Sequence, residues 1–446
     1  MYAVTNPATG EVEETFETFD DERVAEAVAA ADRAYRGWFH ESTLARRVEL
    51  MKAVAAAYRD QRDVLADIIH HEMGKSVEEA LGEVDFSADI YDYYADNAQE
   101  LLMDMPVDRV AGGDAVVRKL PIGPLVGIMP WNYPYYQVAR FAAPNLLIGN
   151  TIILKHSSMC PKSSAAMESI IRDAGFPYGS YVNVYATVEQ IGRVIEDPRV
   201  RGVSLTGSER AGRQVAATAG RALKKVVCEL GGNDAFIVMS ADDLDRVVDY
   251  AIAARYENVG QICNGAKRFI IVDDLYDRFL ESFVVASKAL DLAPLCSREA
   301  AASLSAQVHR ALDDGASLVM GDPDNHGAYL GPVILEDIPR DSHARHEEFF
   351  GPVSQFYRVR DAAEALDVAN DTSYGLGSYV FTTDPAEAEF FADGLETGMT
   401  YVNEAGADSA ELPFGGVKNS GFGREMGVLG MREFVNLKLI THRRDA

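Results

Sequence analysis

The chain has 446 residues, of which 48% are apolar and 25% charged, the balance of an ordinary globular protein, and this excludes disorder as its main state. At roughly 150 residues per domain the length suits about three structural units. Its 69 acidic against 42 basic residues leave a net charge of −27, which repels phosphate backbones and excludes nucleic acid as a favoured partner.

The chain opens Met1-Tyr2-Ala3-Val4-Thr5-Asn6-Pro7, with neither a basic nor an apolar signal segment, so a cytoplasmic address is expected. The first hundred residues read as helix. Asp20-Asp21-Glu22 starts a run with Val24, Ala27, Val28 and Ala31 on one face. Helices are predicted over 44–59 and 63–73, then a long one over 77–102, with Gly74 as a break. Segment 105–121 reads as two short strands around a Gly112-Gly113-Asp114 turn, a hairpin that must join another sheet to be stable.

From Pro121 the pattern becomes strand, loop and helix. Apolar runs begin at Leu125, Thr151, Tyr181 and Gly202, and a second series begins at Ala235, Phe269, Val333, Tyr379 and Met399. Short continuous apolar runs alternating with helices are the mark of buried parallel strands. The stretch from Phe141 to Leu154 is the longest nearly apolar one, and Pro144, Asn145 and Asn150 make it too polar, and its length too short, to span a membrane. The C-terminal segment from Phe434 alternates like a strand and is expected to pair with the early hairpin. Only 11 of the basic residues are Lys, and with the carboxylate excess this predicts a protein kept soluble in concentrated salt; an acidic mesophilic enzyme is the alternative.

Four short segments carry chemistry. Thr206-Gly207-Ser208-Glu209-Arg210-Ala211-Gly212 joins a strand to a helix, and a glycine-flanked helix start offers free N–H groups to a pyrophosphate. Its GxxxxG spacing is not the usual dinucleotide fingerprint, and an ordinary strand–helix turn can carry it. Glu229 follows an apolar strand and precedes Gly231-Gly232, where a carboxylate can act as a general base. Cys263 stands among small residues that leave room for a substrate. Asn132, in the stiff turn Pro130-Trp131-Asn132-Tyr133-Pro134, has an amide suited to an oxyanion. The other thiols, Cys160, Cys228 and Cys296, read as buried small hydrophobes, and no Cys/His cluster has zinc spacing, so no metal is expected.

Asn132, Lys155, the Gly207–Gly212 turn, Glu229, Cys263 and Glu347-Glu348-Phe349-Phe350-Gly351-Pro352-Val353 stand in the order and spacing of the aldehyde dehydrogenase superfamily, which the chain resembles from Asn6-Pro7 to Ser420-Gly421. Lys155-His156-Ser157-Ser158, Gly231-Gly232-Asn233-Asp234 and Ala266-Lys267-Arg268-Phe269 resemble its short bacterial and archaeal succinate-semialdehyde dehydrogenases. The resemblance implies an α/β fold with two Rossmann-like domains and a small β oligomerisation element. It implies a cofactor-binding domain over 1–103 and 122–231, oligomerisation strands over 104–121 and 434–446, and a catalytic domain over 232–433, assembled as a homodimer or homotetramer.

The resemblance further implies Cys263 as nucleophile, Glu229 as base and Asn132 as oxyanion amide. Lys155 and Glu348 would hold the riboses of NADP or NAD, Phe350 would pack by the nicotinamide ribose, and Gly207, Ser208 and Trp131 would flank the pyrophosphate. Ser158, small and neutral, points to NADP, and Asn403 would support the catalytic loop. Arg140, eight residues after Asn132, would take a substrate carboxylate, which makes succinate semialdehyde the expected aldehyde; an internal salt bridge is the other reading of Arg140. A general aliphatic or hydroxyaldehyde dehydrogenase is the alternative; Glu229 argues against a CoA-acylating one, and the presence of Cys263, Glu229 and Asn132 against a catalytically inactive homologue. Two features depart from the pattern. The 291–296 loop is short, and Glu411 stands where close semialdehyde relatives tend to have Arg.

Overall fold

A computed structural model describes residues 1–108, 113–406 and 408–442. The N-terminal helices over 44–59 and 77–102 start where expected, and the structure shows their caps. Asp20 caps Asp21–Glu41, Thr43 caps Leu44–Asp60 and Ser76 caps Val77–Asp96, each side-chain oxygen accepting a first-turn backbone N–H. The expected helix over 77–102 is two, because the Asn97 amide donates to Tyr93 O at 2.8 Å and competes with the helical ladder before Ala98–Leu102 begins. The all-helical reading of the first hundred residues is also corrected. Tyr2–Thr5 and Val12–Phe16 form an antiparallel hairpin that buries only Tyr2 and Val4, and its exposed second strand carries no apolar signature.

Six strands form the sheet that positions the loops beginning at Pro130 and Gly207. Their order is Gly421–Phe422, Lys225–Glu229, Gly202–Thr206, Pro124–Met129, Thr151–His156 and Tyr181–Asn183, with all but the first parallel. The chain runs from Pro124–Met129 outward to Thr151–His156 and Tyr181–Asn183, then returns to add Gly202–Thr206 on the other flank. The order therefore reverses between Pro124–Met129 and Gly202–Thr206, and a reversal opens a crevice at the strands' carboxyl ends. The loops that begin with Pro130 and Gly207 line that crevice.

A seven-stranded sheet follows in the order Ser317–Met320, Val333–Glu336, Val353–Val359, Ala266–Val272, Asp234–Val238, Ser378–Phe381 and Tyr401–Val402. Only Ser317–Met320 is antiparallel to its neighbour. The strand Val353–Val359 carries no continuous apolar run, since Ser354 and Gln355 interrupt it. Both are fully buried, and Gln355 Oε1 accepts the Tyr357 hydroxyl at 2.6 Å.

Met105–Pro106, Asp114–Pro121 and Val435–His442 form a third sheet, with Leu437 opposite Lys119, so the C-terminal strand does pair with the early hairpin. Gly112 of the expected turn and residues 443–446 lie outside the described residues. The segment assigned to one catalytic unit over 232–433 needs a correction. Gly421–Phe422 hydrogen-bonds to Cys228–Glu229 and is an edge strand of the six-stranded sheet. Among the described residues no helix is long and apolar enough to cross a membrane.

Candidate active site

At the crevice, Trp131 meets Phe350 edge to face, ring centroids 5.7 Å apart at 88°. Ser208 caps Glu209–Arg221, its Oγ accepting Ala211 N–H, so the helix start presents free N–H groups and its positive dipole end. A cavity of about 400 Å³ lies against this helix start, lined by Trp131, Gly207, Ser208, Glu348, Phe350 and Cys263. A Cβ on Gly207 would meet nothing within 4 Å, which leaves space for a pyrophosphate at the helix start. Glu348 Oε1 accepts Gly232 N–H at 3.0 Å, and the carboxylate still faces the cavity. These groups fit a dinucleotide. Lys155 and Ser158 lie one strand over, beyond the walls of this cavity. Lys155 is half-buried, with burial pulling its ammonium down, and Ser158 is exposed.

The Cys263 loop is strained and tightly held. Asn258 (φ 48°) and Val259 (φ 57°) are left-handed, and for a β-branched residue this costs about 1–3 kcal/mol. Fully buried Arg255 donates to Gly260 O at 2.7 Å and Ala266 O at 2.8 Å. The Asn258 amide donates to Asn132 O at 3.0 Å, and the Asn132 amide donates to Gln261 O at 3.0 Å. The turn after Pro130 and the Cys263 loop are thus tied together by paired amides. The short 291–296 segment also enters this region, with Cys296 N–H donating to Gln261 Oε1 at 2.9 Å. Arg255 and Asn258 escaped the sequence reading because their partners are backbone carbonyls, which leave no trace in residue type.

Cys263 is half-buried and lines two cavities, whereas Cys160, Cys228 and Cys296 are 0–4% exposed. Burial pushes the Cys263 thiol up to about 12, and Arg140 and Lys267 pull it back. Cys228 and Cys296 are pushed up to about 12 as well, so access rather than acidity distinguishes Cys263. Glu229 ends its strand 1% exposed, with neither oxygen hydrogen-bonded. Burial drives its carboxyl well above the usual range, Glu425 adds to that, and Arg140 and Arg424 oppose it. A Cβ on Gly415 (φ 148°) would lie 2.6 Å from Glu229 Oε1, so only glycine leaves that carboxylate its space.

A sequence profile of the aldehyde dehydrogenase family matches residues 1–440. The chain belongs to the aldehyde dehydrogenase family. Among its relatives, the NADP(+) succinate-semialdehyde dehydrogenase of Deinococcus radiodurans is 47% identical, over 98% of this chain and 94% of its own length. One from Mycobacterium avium is 41% identical over 98% and 96%. The succinic semialdehyde dehydrogenase of Streptococcus pyogenes, solved with NADP+, is 41% identical with a TM-score of 0.96, covering 99% of both chains. Aldehyde dehydrogenase 21 of Physcomitrella patens, solved with the reaction product succinate, is 30% identical with a TM-score of 0.95 over 99% of this chain and 95% of that one.

The substrate side of this aldehyde dehydrogenase site corrects one expectation. Arg140 is paired with an acid of the chain itself. It is fully buried, its Nε 2.5 Å from Glu425 Oε2, and it lines neither cavity at Cys263. Glu425 also accepts the Ser204 hydroxyl at 2.8 Å. A guanidinium is stable at such depth only when paired, so the ion pair claims the charge that a carboxylated substrate would need. Asn403 is corrected likewise. Its amide bridges the N–H and C=O of Thr382, both at 3.0 Å, and braces a strand end instead of the nucleophile loop.

The cavity on this side, about 310 Å³, is walled by Phe86, Tyr133, Tyr136, Phe414 and Cys263, with Glu79, Glu257 and Asp408 as its charged members besides Glu83. Glu83 pairs with buried Lys75 at 2.5 Å, and Lys75 itself is off the wall. Glu257 accepts the Tyr133 hydroxyl at 2.7 Å, and Asp408 accepts from Tyr401 at 2.9 Å and Asn264 at 3.2 Å. Gln137 lines both cavities and its Oε1 has no hydrogen-bond partner. Glu411 is exposed and off this wall, so Asp408 is the nearby acid that matters.

Proposed function

We propose that the chain oxidises a short aldehyde to its carboxylate with NADP, by covalent catalysis at Cys263. The observation that carries this is a half-buried thiol forming part of the wall of both cavities. The Cys263 thiolate, favoured by the charges of Arg140 and Lys267, attacks the aldehyde carbon. One Asn132 N–H is engaged by Gln261, and the other, with Cys263 N–H, holds the oxyanion. The nicotinamide, when bound, supplies the acceptor for the hydride released as the adduct becomes a thioester. Glu229 then takes a proton from water, which hydrolyses the thioester and frees the thiol. When the cofactor is bound, Trp131, Gly207 and Ser208 would flank its pyrophosphate, Lys155 and Glu348 would hold its riboses, and Phe350 would pack beside the nicotinamide ribose.

The cofactor-binding residues 1–103 and 122–231, the oligomerisation segments 104–121 and 434–446, whose described strands are Met105–Pro106, Asp114–Pro121 and Val435–His442, and the catalytic residues 232–433 divide the work, with 421–422 joining the first sheet. The enzyme is cytoplasmic, adapted to salt, and a homodimer or homotetramer through the third sheet. On that sheet Leu437 and Leu439 leave 49% and 61% of their surface exposed, a face suited to a partner copy.

NADP follows from Ser158. An acidic side chain there would oppose a 2′-phosphate by about 4 kcal/mol at an effective dielectric near 20 and ~4 Å, before salt screening. Ser158→Glu is expected to move the ratio of kcat/KM values toward NAD by at least about tenfold at low salt. A wild type that prefers NAD a hundredfold sinks the assignment.

Succinate semialdehyde is the substrate supported by the relatives named for it at 38–47% identity. A second reading, an uncharged or hydroxylated short aldehyde, is favoured by the acidic wall and the unpartnered Gln137 Oε1, which suit a hydrogen-bond donor rather than a carboxylate. Comparing succinate semialdehyde with butanal, in dilute buffer and in molar salt, separates them. A higher kcat/KM for succinate semialdehyde supports the first, and equal or better use of butanal supports the second. Arg140→Ala should impair both aldehydes alike and lower the melting temperature, since breaking a buried pair costs about 3–5 kcal/mol.

A further inference from the structure

Four residues after the nucleophile, Lys267 is fully buried, and its ammonium gives three hydrogen bonds to the nucleophile loop. They go to Ile262 O at 2.9 Å, Cys263 O at 2.7 Å and Gly265 O at 3.0 Å. A buried ammonium is tolerated only when its hydrogens and its charge are answered. Here the carbonyls answer the hydrogens. Glu348, its Oε1 3.5 Å away, and buried Asp234 answer the charge, opposing the burial that pulls the ammonium down. Lys267 is the second residue of Ala266–Val272, a central strand, so the anchor is rigid. It lines neither cavity.

The consequence follows from peptide geometry. The chain has no cis peptide among its described residues, and in a trans peptide the C=O and N–H point in opposite directions. Ile262 C=O and Cys263 N–H belong to one peptide. While Ile262 O is held by the ammonium and by Gly265 N–H at 3.4 Å, Cys263 N–H must point away from Lys267. The next peptide is confined too, since a Cβ on Gly232 would lie 2.5 Å from Cys263 O. The loop has its own reasons to move, with strained Val259 before the nucleophile and Gly260 and Gly265 on either side.

We infer that Lys267 is a positioning residue that sets the oxyanion donor: it locks the Ile262–Cys263 peptide so that Cys263 N–H joins the Asn132 amide at the oxygen of the adduct. This rests on Cys263 being the nucleophile. Lys267 touches neither substrate nor cofactor and acts through the backbone it grips. It also links that backbone to Glu348, a wall of the cofactor cavity.

The test uses the whole enzyme with Lys267→Met, which keeps length without donors, and Lys267→Gln, which keeps amide donors without charge. Turnover is compared with alkylation of Cys263 by iodoacetamide across pH, a displacement that develops no oxyanion and needs only a reachable thiolate. Lys267→Met should lower kcat about 10²-fold, the loss of one oxyanion donor, with KM for NADP nearly unchanged. Its alkylation plateau at high pH should match wild type, and Lys267→Gln should recover about tenfold of the lost kcat. The inference is overturned by a Lys267→Met enzyme with near wild-type kcat. It is equally overturned if the alkylation plateau falls in step with kcat, which marks a collapsed loop. Should Lys267→Met fail to fold, Lys267→Gln decides alone: kcat within about tenfold of wild type, with a normal plateau, supports the inference, and a larger loss or a fallen plateau refutes it. Cys263→Ala run alongside keeps the two claims apart, because an active Cys263→Ala enzyme overturns the nucleophile itself and leaves Lys267 no donor to set.

Discussion

Cys263→Ala is expected to abolish aldehyde oxidation, by about 10⁴-fold or more, the scale on which removing the nucleophile of a covalent mechanism acts. Binding of NADP should survive, because the helix start at Ser208, Trp131 and Glu348 form their side of the cavity without the thiol. The same substitution at Cys160, Cys228 or Cys296 should leave turnover within a few-fold, with some loss of stability. Those three side chains are buried in packing, and truncating a small buried group costs on the order of 1 kcal/mol. Turnover and cofactor fluorescence titration measure the two effects separately. An inactive Cys228→Ala enzyme beside an active Cys263→Ala one would reverse the assignment.

Glu229→Gln should lower steady-state turnover by about 10²–10⁴-fold, the range that a general base contributes. The loss should fall on thioester hydrolysis, so a first-turnover burst of reduced cofactor should remain while the following rate collapses. The pH profile tests the same carboxylate. Burial first, and Glu425 second, hold Glu229 above the ordinary carboxylate range. The base form is therefore present above that raised value and lost as pH falls through it, so the acid limb should lie higher than for a solvated glutamate. Glu425→Gln removes the like charge and leaves Arg140 to act on Glu229, which should move the limb to lower pH. A limb that moves upward, or a burst that disappears with Glu229→Gln, contradicts the role.

Parallel strands were legible because a strand covered on both faces is apolar along most of its length, as Pro124–Met129 and, after Asp234, Asp234–Val238 are. Helix starts were legible from the apolar spacing after Asp20-Asp21-Glu22 and the break at Gly74, and the structure adds the caps Asp20, Thr43 and Ser76, which satisfy N–H groups that a helix cannot satisfy itself. The Tyr2–Thr5 hairpin and Val353–Val359 were not. In one the second strand faces solvent, and in the other buried Ser354 and Gln355 break the apolar run, with Gln355 accepting the Tyr357 hydroxyl.

The order and type of Asn132, Glu229 and Cys263, and the glycines that flank them, are properties of the sequence by itself. Chemistry demands particular functional groups at particular strand ends, and both can be read one residue at a time. What Arg140 does was decided only by the tertiary structure. A guanidinium eight residues after Asn132 suits a substrate carboxylate equally well as an internal acid, and Glu425, from the far end of the chain, claims it. The acidic wall of Glu79, Glu257 and Asp408 and the grip of Lys267 on three carbonyls arise in the same way. Pairing inside a protein depends on which groups share a desolvated space, and that follows from how distant segments pack rather than from their order along the chain.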